Sequence, residues 1–352
     1  MNGNVNRRDF LHTVGVAAGA AALGANAAAQ QEGGAMAGHG ATDGLIWANL
    51  VHLSYNMWGD REPTPEDKRS EYWAAKPYLR FDDSLWNDIL KKMAEVGMNM
   101  IVVDVGDGVQ YTSHPEVSVE NAWPRARVKE ELAKARDLGL EPIPKLNFSA
   151  CHDEWLGPYA RCLSTDAYYT VCRDVIAEVI DMFDGPRLFH LGMDEETAQH
   201  QRAFQYVVIR QFDLWWHDLN IYIEACEKGG ARPWVWSDYL WHHPDMFFEN
   251  MPKSVLQSNW YYGAEFKPDI DYVKAYHLLE EHGYDQLPTG SNWSNAENFE
   301  KTAVYCRNVI PAPRLKGFLQ TPWKPTLEAC RERHIQAIEQ VGRAIAAAKG
   351  AA

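Results

Sequence analysis

Two acids stand side by side at the end of a short apolar segment, residues 187–195, which closes on Asp194 and Glu195 and is followed by Glu196. Adjacent carboxyls at one place can divide labour. One that keeps its proton in an apolar setting can protonate a departing glycosidic oxygen, while its neighbour steadies developing positive charge. The plainer reading is the acidic first turn of a helix, and it suits Glu196 better than the other two. Further polar groups recur at the ends of other apolar runs. Asp104 and Asp107 follow one, and Asn147, His152, Asp153 and Glu154 follow another. Asp238 lies just past a third. His152 is a candidate for holding the acid by a hydrogen bond. Aromatic residues cluster at the same places: Trp58, Trp155, Trp234, Trp236, Trp241, Trp260, Tyr261, Trp293 and Trp323. Flat apolar rings suit the faces of sugars, and they dry a site, which raises the pKa of a nearby carboxylic acid.

These groups need elements to position them, and the pattern supplies eight. Apolar runs expected as strands cover 46–53, 98–105, 141–148, 187–192, 233–237, 254–260, 286–291 and 317–321. Stretches of helical period follow at 84–96, 125–138, 165–183, 204–228, 244–250, 270–282, 296–308 and 327–348. Gly97, Gly139, Gly185, Gly229 and Gly283 fall where helices should stop. Eight strand–helix units, with no glycine-rich dinucleotide fingerprint or phosphate loop, predict an α/β fold: a single (β/α)8 barrel over 44–352, with its chemistry at the carboxyl ends of the strands.

The N-terminus reads as an address. Arg7 and Arg8 precede a weakly apolar Ala/Gly run ending at Ala29, which predicts a twin-arginine signal over 1–29, a flexible leader over 30–43, and a periplasmic or secreted product. No later apolar run reaches the ~18 residues of a membrane span. The formal charge of −14 offers no basic track for nucleic acid. Six cysteines show no zinc spacing, and export permits disulfides, with Cys306–Cys330 and Cys151–Cys162 as candidate pairs. His217, His242 and His243 lack the spacing of metal ligands, so neither a catalytic metal nor a cofactor is expected.

A retaining glycosidase with its own nucleophile needs a second carboxylate across the sugar. The seventh run ends Ser291-Asn292-Trp293 and offers none. Three options remain: inversion with a more distant base (Glu154, Glu196 or Asp238), attack by the substrate's own 2-acetamido group, or no hydrolysis. Adjacent Asp and Glu favour the second.

His190, Gly192, Asp194 and Glu195 match a His-x-Gly-x-Asp-Glu pattern and resemble glycoside hydrolase family 20, the β-N-acetylhexosaminidases. The resemblance implies exo-acting, substrate-assisted retention on a β-linked N-acetylhexosamine-type sugar. It assigns Glu195 as acid/base and Asp194 as the group orienting the acetamido. It further implies an Asp–His–Glu relay through His152 and either Asp104 or Asp107. Sugar contacts would come from Trp236, Trp260 and Trp323, and an acetamido-binding hydroxyl from Tyr261, with His190, Asn147, Asp238 and Trp293 completing the pocket. The sequence departs from the family in having no arginine at strand one, no glutamate after Trp323, no Tyr-x-Asp element at strand seven and no small domain ahead of the barrel. The alternatives are therefore a glycosidase of other sugar specificity or inverting mechanism, and a non-catalytic periplasmic sugar-binding barrel.

Overall fold

The computed structural model describes residues 44–350. The expected signal peptide and the leader lie wholly outside the described residues.

Eight parallel strands alternate with helices. In chain order they are β1 (Ile46–His52), α1 (Asp83–Val96), β2 (Met100–Asp104), α2 (Arg125–Asp137), β3 (Glu141–Lys145), α3 (Asp166–Met182), β4 (Leu188–His190) and α4 (Asp213–Lys228). There follow β5 (Arg232–Trp236), two short helices α5 (Tyr239–His242) and α6 (Pro244–Asn250), β6 (Leu256–Ser258), α7 (Asp271–Glu281), β7 (Thr289–Gly290), α8 (Asn298–Val309), β8 (Gly317–Gln320) and α9 (Arg331–Gly350). Ladders join the strands in the order β6-β5-β4-β3-β2-β1-β8-β7. Bridges Gln257–Gln286 and Trp260–Thr289 close the seam between β6 and β7. The architecture is the expected (β/α)8 barrel.

Two apolar layers hold it. On α1 the residues Leu85, Trp86, Ile89, Leu90 and Met93 are buried, the 3–4-residue spacing of one helical face, and they pack on the outward side of the strands. Gly97 stops the helix at φ 86°, a left-handed conformation that costs glycine nothing. The inner layer alternates with it along each strand: Ala48 and Leu50 on β1, Met100 and Val102 on β2, Ile143 on β3, Leu188 on β4, Trp234 on β5 and Leu256 on β6. Continuing that period of two brings His52, Asp104, Lys145 and His190 inward at the carboxyl end. They are register partners on four neighbouring strands. The barrel interior is thus capped by a polar layer directly beneath its mouth.

Three expectations change. Helix α4 begins at Asp213, not at 204, because residues 204–209 belong to a long connection. Gln201 clamps it, donating to Ala150 O at 2.5 Å and accepting from Val208 N at 2.7 Å. The last helix starts at Arg331 after a single 3-10 turn, Glu328–Cys330. All six cysteines are free, so neither candidate disulfide forms. Cys306 and Cys172 are fully buried and serve as small apolar packing groups.

Candidate active site

The site grows from the turn after β4. His190 is completely buried, and its Nδ1 accepts the Gly192 N–H at 3.0 Å, so the neutral ring carries its proton on Nε2. Burial, reinforced by the Lys145 charge, holds its pKa well below the usual histidine range. Gly192 follows at φ 70°, and a Cβ there would lie 2.0 Å from Asn147 Oδ1. No side chain fits. Asn147 uses that close approach: its Oδ1 accepts from Met193 N at 3.0 Å and Ser149 N at 3.1 Å, while its Nδ2 donates to Asp194 Oδ1 at 2.8 Å. Met193 (φ 78°) and Glu195 (φ 56°) both sit in the left-handed region. This strain turns consecutive carboxyls toward one place.

His152, 2 % exposed, faces both acids. Its Nε2 lies 3.5 Å from Asp194 Oδ2 and 3.4 Å from Glu195 Oε2. Burial works against its charge, but the Asp194 and Glu195 carboxylates outweigh burial and raise its pKa. Glu195 has the complementary balance. Burial pushes its pKa up, yet His152 and His200 together hold it well below the usual carboxylate range. Of the two, His152 is therefore the group that keeps the proton more readily, and the dry aromatic walls do not hold it on Glu195. These three side chains are also close enough to hold one metal ion between them.

Aromatic rings enclose the acids in a cavity of about 450 Å³ whose lining includes Tyr55, Trp58, Trp260, Tyr262, Trp293 and Trp323. Trp58 packs edge-on against His152 with centroids 4.7 Å apart. Trp323 has φ 48°, and its Nε1 donates to Tyr262 Oη at 2.9 Å while Tyr55 Oη donates to its carbonyl at 2.9 Å. Trp236 lies beneath, 2 % exposed, between His190 and Trp323. A second cleft of about 480 Å³ opens on the other side of Glu195, lined by His200, Asp238, Trp241, Trp260 and Tyr261 among others.

Several expected residues stand elsewhere. Asp104 is no partner of His152: it pairs with Lys145 at 2.5 Å and lies 3.3 Å from His52. Burial alone would raise its pKa, but Lys145 and His52 lower it on balance. Asp107 accepts from Ser54 and, at 2.9 Å, from Asn56, and burial pushes it up to about 7. No hydrogen bond or ion pair among the described residues joins either aspartate to His152, so the expected relay is missing. The tyrosine beside the acids is Tyr262; Tyr261 lines the second cleft. Trp155 and Trp234 are packing residues whose indoles donate to Asn147 O and Ser258 Oγ. Glu196 is buried against Arg210 at 2.6 Å, and Glu154 pairs with Arg161. Asp238 remains, its Oδ2 accepting the Glu195 N–H at 2.9 Å. Burial, with Asp194 nearby, pushes it up to about 8.

Sequence reasoning missed Tyr55, Lys68, Arg69, Trp73 and Tyr262 in the main cavity. Four of them come from the connection 53–82. Its unusual length was the available signal, since long βα connections tend to be functional.

No sequence family and no curated protein matches the chain by sequence. Solved structures do match. A β-N-acetylhexosaminidase from Bacteroides fragilis aligns at TM-score 0.56 and 14% identity over 84% of this chain and 65% of its own. The pneumococcal protein StrH aligns at TM-score 0.54 and 16% identity, covering 86% and 83% respectively. An exo-β-N-acetylglucosaminidase from Vibrio harveyi, solved with N-acetylglucosamine bound, aligns at TM-score 0.55 and 13% identity over 84% of this chain and 54% of its own. The chain shares its fold with the β-N-acetylhexosaminidase barrels. It spans about two thirds of the Bacteroides structure and about half of the Vibrio one.

Proposed function

We propose that the protein is an exo-acting glycoside hydrolase that removes a β-linked 2-acetamido sugar by substrate-assisted retention. One observation carries the reading. Asp194 and Glu195 are the only acids among the described residues lining the aromatic cavity, and they sit on the same turn. Among the described residues no further carboxylate lines that cavity as a candidate nucleophile, which favours giving that role to the substrate.

In this reading Asp194, fixed through Asn147, orients the acetamido group so that its carbonyl oxygen attacks the anomeric carbon. The glycosidic C–O bond breaks as Glu195 protonates the leaving oxygen. Water then opens the cyclic oxazolinium intermediate, Glu195 takes its proton, and the anomeric configuration is retained. Glu195 needs a proton to begin, and His152 supplies it across 3.4 Å. A bound sugar excludes water and raises the cost of a bare carboxylate, which drives the transfer. An inverting base finds less support. Glu154 and Glu196 are tied to arginines, and a carboxyl pushed up to about 8, as Asp238 is, is largely protonated at neutral pH. Export through the twin-arginine signal is part of the proposal. No helix among the described residues is long and apolar enough to cross a membrane.

The test is hydrolysis of 4-nitrophenyl N-acetyl-β-glucosaminide and its galacto epimer, followed by proton NMR of the first-formed sugar. The β anomer should appear first. Glu195→Gln should lower kcat by roughly 10²–10⁴-fold, the range for losing a general acid, and Asp194→Asn should remove most of the activity. Full activity in Glu195→Gln, or an α product, would overturn the assignment.

A further inference from the structure

Lys68 and Arg69 line the same cavity as Asp194 and Glu195. They stand out in a chain of net charge −14, because the other cations of the same connection are engaged. Arg61 bonds Asp67 at 2.9 Å, Lys76 pairs with Glu62, and Arg80 donates to Asn56 Oδ1 at 2.9 Å. Neither Lys68 nor Arg69 has an acidic partner among the described residues. Arg69 lies over the Trp73 ring, 5.6 Å from its centroid, a placement that leaves the edge of the guanidinium fork open to an oxyanion.

The segment that presents them is pinned on both sides. Asp60 accepts from Gln205 N at 3.0 Å, tying the connection to the loop after β4. Ala75 N donates to Gly59 O at 2.9 Å, and Trp73, 5 % exposed, packs edge-on against Phe204. Gly59 allows this closure, since a Cβ there would meet the Trp73 ring at 2.6 Å. Between these anchors the 3-10 turn Pro65–Asp67 ends on Lys68 at φ 52°, and this left-handed residue reverses the chain so that Lys68 and Arg69 reach the cavity wall.

Resting on the glycosidase reading above, we infer that the enzyme acts on a 2-acetamido sugar carrying an anionic ester, sulfate or phosphate, which Lys68 and Arg69 bind. The two acids fix which end of the sugar the charge occupies. Asp194 and Glu195 hold the anomeric carbon and the acetamido group, where a second anion would be repelled, so the ester lies at the far end of the ring. A point-charge ammonium beside a planar fork suits a tetrahedral oxyanion.

The experiment compares kcat/KM for 4-nitrophenyl N-acetyl-β-glucosaminide with its 6-O-sulfo and 6-O-phospho derivatives, and then repeats the set with Lys68→Ala/Arg69→Ala and with Lys68→Glu. One of the two esters should be preferred by at least tenfold at low salt. The preference should shrink as ionic strength rises, fall to within about twofold in the double variant, and reverse in Lys68→Glu. Both side chains are solvent-exposed, so these substitutions leave the core alone, and an unchanged unfolding midpoint checks that. A wild type that favours the neutral sugar, or a double variant that keeps the preference, overturns the inference. If none of the three is hydrolysed, the glycosidase reading fails. Calorimetric binding of 6-O-sulfo- and 6-O-phospho-N-acetylglucosamine to wild type and double variant then decides the anion site by itself: equal affinity in the two proteins refutes it.

Discussion

Replacing Gly192 by alanine should damage this site more than any other single methyl group added to the turn after β4. The backbone at Gly192 has φ 70°, which costs an L-residue about 1–2 kcal/mol. The new Cβ would lie 2.0 Å from Asn147 Oδ1 and 2.2 Å from its Cγ, so the amide must swing away. That movement releases its bond to Asp194 Oδ1 and strands the buried Met193 N–H. Each broken buried hydrogen bond costs about 1–3 kcal/mol. The total is about 4 kcal/mol, a large share of the ~5–15 kcal/mol that holds a typical domain together. Asn147→Ala alone loses the same bonds without the clash, about 3 kcal/mol by the same figures. Adding Gly192→Ala to that variant should then cost only about 1–2 kcal/mol for the backbone, plus what remains of the 2.8 Å approach to the residue-147 Cα. The two effects should therefore fall short of additivity by about 2 kcal/mol. Urea unfolding followed by tryptophan fluorescence on all four proteins measures it. Strict additivity, or a Gly192→Ala protein within 1 kcal/mol of wild type, would show that Asn147 does not transmit the strain of this turn to Asp194.

The remaining predictions concern protons. His152→Gln should lower kcat by roughly 10²-fold, a typical worth for a positioned proton donor or acceptor, and should change the shape of the pH profile. His152 has a raised pKa and, in the proposed mechanism, delivers its proton to Glu195, so wild-type activity should fall as pH climbs through that raised value. Without the imidazolium, Glu195 loses one of the two histidines that hold its pKa down, and the variant should retain its best activity at acid pH; an unaltered profile refutes the proton store. Stability should respond to pH through Asp107, which burial pushes up to about 7. Its folded pKa exceeds its unfolded value, so the folded state keeps a proton that the unfolded chain releases above about pH 4. That stabilisation is complete below pH 4 and is lost as pH rises through 7, by at most a few kcal/mol. Asp107→Asn should flatten the dependence of the urea midpoint between pH 5 and pH 8, and an equal slope in both proteins counts against it.

Most of the barrel was legible because its strands are short apolar runs set off from the preceding helices by glycines such as Gly97, Gly139 and Gly185, and each expected strand overlaps an observed one. The site was legible only where it lies on strand ends. Asp104 and Lys145 could have been paired in advance, since both continue the inward alternation of Met100, Val102 and Ile143, and opposite charges side by side in a barrel interior have nowhere else to go. Tyr262 could not have been chosen over Tyr261. Strand β6 ends at Ser258, and past its end the period-two rule that assigns side chains to faces no longer applies. The connection 53–82 was opaque for the same reason. It carries no periodicity, and it places Tyr55, Lys68, Arg69 and Trp73 through long-range anchors such as Asp60 to Gln205 that sequence order does not reveal.

The pairing of Asp104 with Lys145 separates His152 from the relay that the sequence resemblance implies. A buried lysine needs a counter-charge, and Lys145, 0 % exposed, finds it 2.5 Å away in Asp104. Breaking such a buried pair would leave an uncompensated charge at a cost of about 3–5 kcal/mol, so Asp104 is not free to turn toward His152. Among the described residues no carboxylate pairs with the far nitrogen of this imidazole, and two face its Nε2. An aspartate behind the ring would anchor a histidine as a fixed support for the acid. With the attraction only in front, the proposed mechanism makes the ring a carrier whose proton moves to whichever carboxyl the substrate makes more costly to leave charged. If Asp194 meets the acetamido N–H and stays satisfied, Glu195, facing the leaving oxygen, is the carboxyl that gains most from protonation. In the proposed mechanism, the absence of support behind His152 is thus the reason that Glu195 acts as the acid although its pKa is held low.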